Sequence, residues 1–323
     1  KHSVLNDKRF KSEAWQTNPL AQLLAQQYLL GADFLRQQRE LLLAQANPTQ
    51  AEQVRFMSEQ MIEAAAPSNY LATNPEALQV MMATQGQSLQ NGIANLLTDL
   101  RKGRVTQTDE SAFAVARNLA VSPGAVVFEN DFFKLLQYAP SPPTVFKKPI
   151  LMVPPCINKF YILDLHPGTS FVKYAVAQGL TVFLVSWRNP VGEQLNQATW
   201  DDYVAQGVIS AIMAVQAISK EKTIHTLGFC VGGTLLAVAL AALAAKHQYP
   251  SASLTLLTTL LDFAQPGVLG VFTDEQQVKQ REATLGQGGL MSAKDLNNSF
   301  SMLRPNDLIW NYVVNQYLKG EPA

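Results

Sequence analysis

The sequence predicts an α/β fold on a mostly parallel, doubly wound sheet, and three observations predict it. Four continuous apolar runs, 150–153, 181–187, 223–227 and 254–261, alternate with segments of helical pattern. Unbroken apolar runs suit strands buried on both faces, and the helices between them supply the crossovers that parallel strands need. The third run ends in a glycine-flanked turn that opens an apolar helix, and the chain before residue 121 keeps a helical period throughout.

Taken in order, residues 1–120 read as a helical N-terminal domain. Leu20, Leu23, Leu24 and Tyr28, then Phe56, Met57, Gln60, Met61 and Ala64, recur at helical spacing. The interruptions are turn signals: Asn47-Pro48, Ala66-Pro67-Ser68-Asn69 and Asn74-Pro75, the last with proline at a first helical position. Nothing here has catalytic spacing. From Val121 the period shortens, and 125–129 with 133–138 are expected to form a hairpin. Within the core, 121–262, helices are expected at 170–178, closed by Gly179, at 199–218 and at 234–246. After Asp262 the strand signal stops. Residues 263–323 mix glycine turns (Gly286, Gly288, Gly289) with helical apolar patches and are expected to begin a cap over the cleft.

Composition narrows the function classes. Hydrophobic residues make up 47% of the 323 and charged ones 15%, against a usual charged share of ~25%, so a large core and a charge-poor surface are expected. Basic and acidic residues both number 25, which gives no reason to propose nucleic acid as a partner. The same balance supplies little repulsion against self-association or attachment to an apolar surface. Two cysteines are too few for a disulfide framework, so a reducing compartment is the default. Lys1 to Phe10 is polar and no signal peptide is read; the lack of an initiator Met and the run 319–323 suggest a fragment at both ends. Residues 226–245 carry no charged side chain, long enough to raise a membrane span, but the strand and glycines in their front half favour a buried helix. No His/Cys/Asp/Glu cluster has metal-ligand spacing, and no cofactor is expected.

The chemistry concentrates at Gly228-Phe229-Cys230-Val231-Gly232-Gly233-Thr234, the nucleophile-elbow pattern with Cys at the apex. Glycines two before and two after Cys230 remove the Cβ atoms that would clash in so sharp a turn. The helix that follows favours a thiolate and a neighbouring oxyanion through its N–H groups. The turn lacks the glycine patterns of dinucleotide and P-loop sites. At the carboxyl ends of the other strands, where ligands bind in such sheets, lie Pro154-Pro155-Cys156-Ile157-Asn158-Lys159 and Asp262.

The elbow Gly228-Phe229-Cys230-Val231-Gly232-Gly233-Thr234 and the loop Val153-Pro154-Pro155-Cys156-Ile157-Asn158-Lys159, with Val185-Ser186-Trp187-Arg188-Asn189-Pro190, Leu303-Arg304-Pro305-Asn306-Asp307-Leu308-Ile309-Trp310-Asn311-Tyr312, Ala66-Pro67-Ser68-Asn69-Tyr70 and Thr108-Asp109-Glu110-Ser111, resemble the bacterial polyhydroxyalkanoate synthases, most of all class I. The resemblance runs through nearly the whole chain. It implies an α/β-hydrolase-type sheet, incomplete at its C-terminal end, and an acyltransferase that polymerises (R)-3-hydroxyacyl-CoA with release of CoA. Cys230 matches the nucleophile. By the geometry of that fold the Val231 N–H supplies one oxyanion donor, and a second is expected from the loop around Cys156 and Ile157; Cys156, Asn158 and Asp262 are candidates to line the cleft. No metal or cofactor is implied, the CoA thioester being substrate. A homodimer, cytoplasmic localisation and attachment to the polymer granule are implied as well.

The family also needs an acid and a base after the nucleophile. The histidines are His2, His166, His225 and His247, and none follows His247. His225 and His247 read as structural, His166 precedes the nucleophile, and Asp262 reads as well as a cap of the next segment. The acid and base are therefore expected beyond residue 323, and these residues alone are expected to be inactive. Two rivals stay open: an esterase or depolymerase on the same fold, and a non-catalytic granule-associated protein.

Overall fold

The computed structural model describes residues 6–323; His2 and the first part of the polar opening run lie outside them. The chain divides into two compact units. One holds residues 111–266 with 283–290, and the other the residues up to Glu110 with 267–282 and 291–323. Most of the segment expected to begin a cap thus groups with the N-terminal helices.

The first unit carries the expected mostly parallel sheet. Its strands are β1 (Gly124–Glu129), β2 (Phe133–Tyr138), β3 (Ile150–Val153), β4 (Val182–Trp187), β5 (Ile224–Phe229) and β6 (Ser251–Leu257), in the order β1-β2-β4-β3-β5-β6. β3 to β6 run parallel, while β2 is antiparallel to both its neighbours. The β1–β2 hairpin turns because the Asn130 side chain accepts the N–H groups of Phe132 and Phe133, a local turn that a short Asn carboxamide makes readily.

Side-chain alternation explains the unbroken apolar runs. Leu151, Val153, Phe183, Val185 and Trp187 face one side of the sheet, with Val208 of the helical stretch Tyr203–Ile209, Ile212 and Val215 of the helix Ser210–Ser219, and Leu235, Leu236 and Ala239 of the helix Val231–Ala244. Met152, Val182, Leu184 and Leu227 face the other side, with Val172, Ala175 and Val176 of the helix Phe171–Ala177. Both faces are buried, so the central strands are apolar at most positions, with Thr226 buried only because its hydroxyl is hydrogen-bonded to Ser251. Residues 226–245 are therefore strand, turn and core helix, and no helix among the described residues is long and apolar enough to cross a membrane.

The strand expected at 223–227 runs Ile224–Phe229 and the helix expected at 234–246 runs Val231–Ala244, and two departures go further. β6 begins at Ser251 and ends at Leu257 instead of covering 254–261. Its opening serines hid it, because they are used for hydrogen bonds: Ser253 Oγ lies 2.7 Å from His225 Nδ1 and Ser251 Oγ 2.8 Å from Thr226 Oγ1. Its end is set by Thr258, whose φ of 45° leaves the extended region. The segment read as one helix over 199–218 starts at a Thr199–Asp202 capping box, widens into a π-helical stretch, Tyr203–Ile209, and returns to α-helix until Ser219.

The second unit is helical. Its long helices are Pro19–Leu43, Pro48–Ala64 and Gln87–Lys102, with Pro75–Ala83 between the last two. Asn18 and Asn74 cap two of them, the Asn74 carboxamide oxygen accepting the Ala77 N–H at 3.1 Å, as the Asn-Pro signal predicts. The stretch Val313–Leu318 packs on Gln87–Lys102 so closely that a Cβ at Gly92 would overlap the Tyr317 carbonyl.

Candidate active site

Cys230 stands between the end of β5 and the start of the helix Val231–Ala244, with φ 52° and ψ −129°. A residue with a Cβ in that region carries on the order of 1–3 kcal/mol of strain, which persists only where the surroundings impose it. Three glycines and a clamp impose it. A Cβ at Gly228 would strike the Gly233 backbone, one at Gly232 would enter the carbonyl oxygens of Val153 and Pro154, and one at Gly233 would collide with the Thr259 side chain. The elbow therefore lies in direct contact with the loop after β3 on one side and the segment after β6 on the other.

The clamp is made of hydrogen bonds. The Cys230 N–H donates to the Leu257 carbonyl at 2.9 Å, and the same oxygen accepts the Thr259 hydroxyl at 3.2 Å. The Thr234 hydroxyl donates to the Leu260 carbonyl at 2.8 Å. The helix then starts on Cys230 itself, whose carbonyl accepts from Gly233 N–H at 2.8 Å and Thr234 N–H at 3.2 Å. The first N–H groups of a helix have no intrahelical acceptor, so the half-buried Val231 stands at a donor-rich end.

The loop after β3 approaches from the neighbouring strand, Val153 being paired with Gly228. The buried Trp187 ring holds this loop by donating its N–H to the Pro154 carbonyl at 2.7 Å. The Asn158 N–H closes a turn on the Pro155 carbonyl at 3.1 Å, and the Asn158 carbonyl accepts from Asn189 Nδ2 at 3.4 Å. Cys156 is half-buried and, like Tyr203, packs against the core at this end of the sheet, where the Trp187 and Tyr203 rings lie 5.6 Å apart. Burial pushes the Cys156 thiol above its ordinary range, and the nearby Cys230 sulfur adds to that; the N–H groups of Cys156 and Ile157 partly offset both. Tyr203 is raised as well, by burial first and by Cys156 second. The Ile157 side chain is exposed.

The remaining expected residues scatter. Asp262 lies five residues past the end of β6, exposed, its carboxylate accepting the Ala264 N–H at 2.9 Å in a local cap. His225 sits in β5 beside Ser253, five residues and roughly 16 Å of extended chain before Cys230. His166 is exposed, its Nδ1 accepting the Gly168 N–H at 3.1 Å. His247, at φ 57°, lies in the turn just after the elbow helix. The structure thus brings Cys230, Val231, Cys156, Ile157 and Asn158 to one end of the sheet. Among the described residues no group of three or more His, Cys, Asp or Glu is placed to hold a metal.

Sequence reasoning overlooked Thr234, Thr259 and Tyr203. Thr234 had a signal, standing directly after the two glycines of the motif; Thr259 had none, because its partner is Gly233, remote in the chain.

Residues 6–175 match the family model described as the Poly-beta-hydroxybutyrate polymerase (PhaC) N-terminus, slightly more than half of the chain. The chain belongs to that family. It is 52% identical over 321 residues to the poly(3-hydroxyalkanoate) polymerase subunit PhaC of Cupriavidus necator, covering 98% of this chain and 54% of the relative. It is 43% identical over 319 residues to the poly(3-hydroxyalkanoate) polymerase of Methylorubrum extorquens, covering 98% and 52%. The chain spans about half the length of the curated relatives it matches. Among solved structures an arylesterase overlaps 66% of this chain and 73% of its own, at 15% identity and a TM-score of 0.34.

Proposed function

We propose that the protein containing this chain polymerises (R)-3-hydroxyacyl-CoA into a polyester with release of CoA, the growing chain being carried as a thioester on Cys230. One observation carries the reading: a thiol at a strained, glycine-cleared apex between a parallel strand and a helix N-terminus, in a chain whose relatives are named poly(3-hydroxyalkanoate) polymerases. The chemistry suits the residue. Attack by Cys on an acyl-CoA exchanges one thioester for another of similar energy, so the acyl group stays activated for attack by the next 3-hydroxyl.

In this reading the Val231 N–H and an N–H near Ile157 hold the oxyanion of the tetrahedral intermediate. Cys156 and Asn158 border the cleft, and Asp262, with its local cap, is its weakest member. A cap that limits water at the acyl-enzyme is part of the same reading. A base must take the thiol proton, since the thiolate is the nucleophile. His166 and His225 are hydrogen-bonded elsewhere and His247 lies past the far end of the 14-residue elbow helix, so residues 1–323 by themselves are expected to be inactive. The reading also includes a homodimer and attachment to the polymer granule in the cytoplasm.

CoA release from (R)-3-hydroxybutyryl-CoA tests this. The full-length protein is expected to release CoA and build polymer, and Cys230→Ala to lose both; polymer formation by Cys230→Ala sinks the proposal. Free hydroxy acid in place of polymer favours the esterase reading. Turnover by residues 1–323 alone, lost on Cys230→Ala, shows that a base lies within them.

A further inference from the structure

The elbow's thiol does not overhang the sheet alone. β3 and β5 are adjacent and parallel, Val153 is paired with Gly228, and the chain leaves both strands in the same direction. Cys156 comes three residues after that pair and Cys230 two. The turns carrying them touch, since Gly232 lies against the carbonyls of Val153 and Pro154 with no room for a Cβ. Neighbouring strands are about 4.8 Å apart, and a disulfide tolerates Cα separations up to about 7 Å. Each cysteine is half-buried and neither is in a disulfide.

We propose that Cys156 and Cys230 form a redox-modification site in which a peroxide oxidises Cys230 and Cys156 captures it as a reversible disulfide. The Cys230 thiolate attacks one peroxide oxygen, breaking the O–O bond and giving a sulfenic acid and hydroxide. The Cys156 sulfur then attacks the Cys230 sulfur; the S–O bond breaks, and the departing hydroxide takes the Cys156 proton as water. In sum two thiols lose two electrons and two protons, and hydrogen peroxide becomes two waters.

The two cysteines are unequal in a way that assigns their parts. Cys156 sits in a buried aromatic surrounding that holds it protonated and slow to meet oxidant. Cys230 stands at the helix N-terminus, where a sulfenic oxygen meets N–H groups that have no intrahelical acceptor. Capture by a resolving thiol keeps a sulfenic acid from the irreversible sulfinic state. The modification site goes beyond the acyl-transfer reading and uses only Cys230's place at the elbow.

The test is mass spectrometry of the intact chain after graded hydrogen peroxide, with no acyl-transfer readout, so its failure is distinguishable from failure of the polymerase reading. The wild type is expected to lose two hydrogens in mass and to yield a Cys156–Cys230 linked peptide that dithiothreitol reverses. Cys156→Ser is expected to lose its dithiothreitol-recoverable Cys230 thiol severalfold faster, as sulfinate. Sulfinate on Cys230 of the wild type at the rate of Cys156→Ser, without the linked peptide, overturns the proposal. The linkage in the wild type is decisive even if the variant folds poorly.

Discussion

The two units of the chain are held by different physics. In the sheet unit the groups shifted by burial are neutral proton donors: Tyr138, Cys156 and Tyr203 are all pushed up, each by desolvation first. Its geometry is set by apolar layers on both sheet faces and by glycines whose Cβ positions are already occupied. In the helical unit charges are buried together. Arg9 pairs with Asp7 at 2.7 Å and Glu63 at 2.5 Å, stacks over Phe10 and Tyr28, and shares Glu63 with Asn306. Lys319 pairs with Glu76 at 2.8 Å, and the buried Asp99 accepts the Tyr317 hydroxyl at 2.7 Å. Among the described residues every carboxylate held below its ordinary range belongs to this unit, except the exposed Asp202 cap. The difference teaches what each kind of contact does: close packing holds one thiol at a strained apex, whereas ion pairs join segments far apart in sequence.

That contrast can be broken from either side. The largest effect is expected from Arg9→Met, which leaves Asp7 without its ion-pair partner and Glu63 with only Asn306 and Arg36, both carboxylates having most of their surface buried. Removing one partner of such a network costs about 3 kcal/mol, and hydrogen exchange should show the loss in the helical unit with the sheet unit unchanged. Equal loss of protection in both would refute the division.

Gly232→Ala should reverse the pattern. The added methyl meets backbone carbonyls that cannot rotate away, at a cost of about 2 kcal/mol. Protection should fall around β3, β5 and the elbow, and iodoacetamide labelling of Cys230 should change in rate; a variant as stable as wild type, with unaltered labelling, would show that the close approach is not maintained in solution.

Acid sharpens the comparison with a smaller effect. A carboxylate whose folded pKa is depressed contributes stability that is present above its unfolded pKa and lost as pH falls through the folded one. For Asp7, Glu59, Glu76 and Asp99, burial opposes ionisation but hydrogen bonds and ion pairs outweigh it. The helical unit should therefore lose protection as pH falls below the ordinary carboxylate range near 4, while the sheet unit holds. Simultaneous acid unfolding, followed by amide exchange, would count against the assignment.

Much of the fold was legible because burial on two faces writes itself into consecutive residues. The runs 150–153 and 133–138 coincide with β3 and β2, and the Asn74-Pro75 signal marks a helix start. β6 was misplaced because its first residues are serines that hydrogen-bond across to β5, so the strand's polar end read as loop. Asp262 looked like a strand-end acid only under that misplacement. At the site, Cys230 and its glycines declare themselves by local spacing. Thr259 and Tyr203 could not, since each matters through residues dozens of positions away.

The sequence alone therefore determined the class of fold, the family and the identity of the apex thiol, because each is encoded in patterns a few residues long. Only the tertiary structure decided what surrounds that thiol. It set the Leu257 carbonyl under the Cys230 N–H, the β3 loop against Gly232 and a second cysteine at the same end of the sheet. Those neighbours are brought in by strand order, and strand order is settled by how the apolar faces pack, which no local pattern specifies.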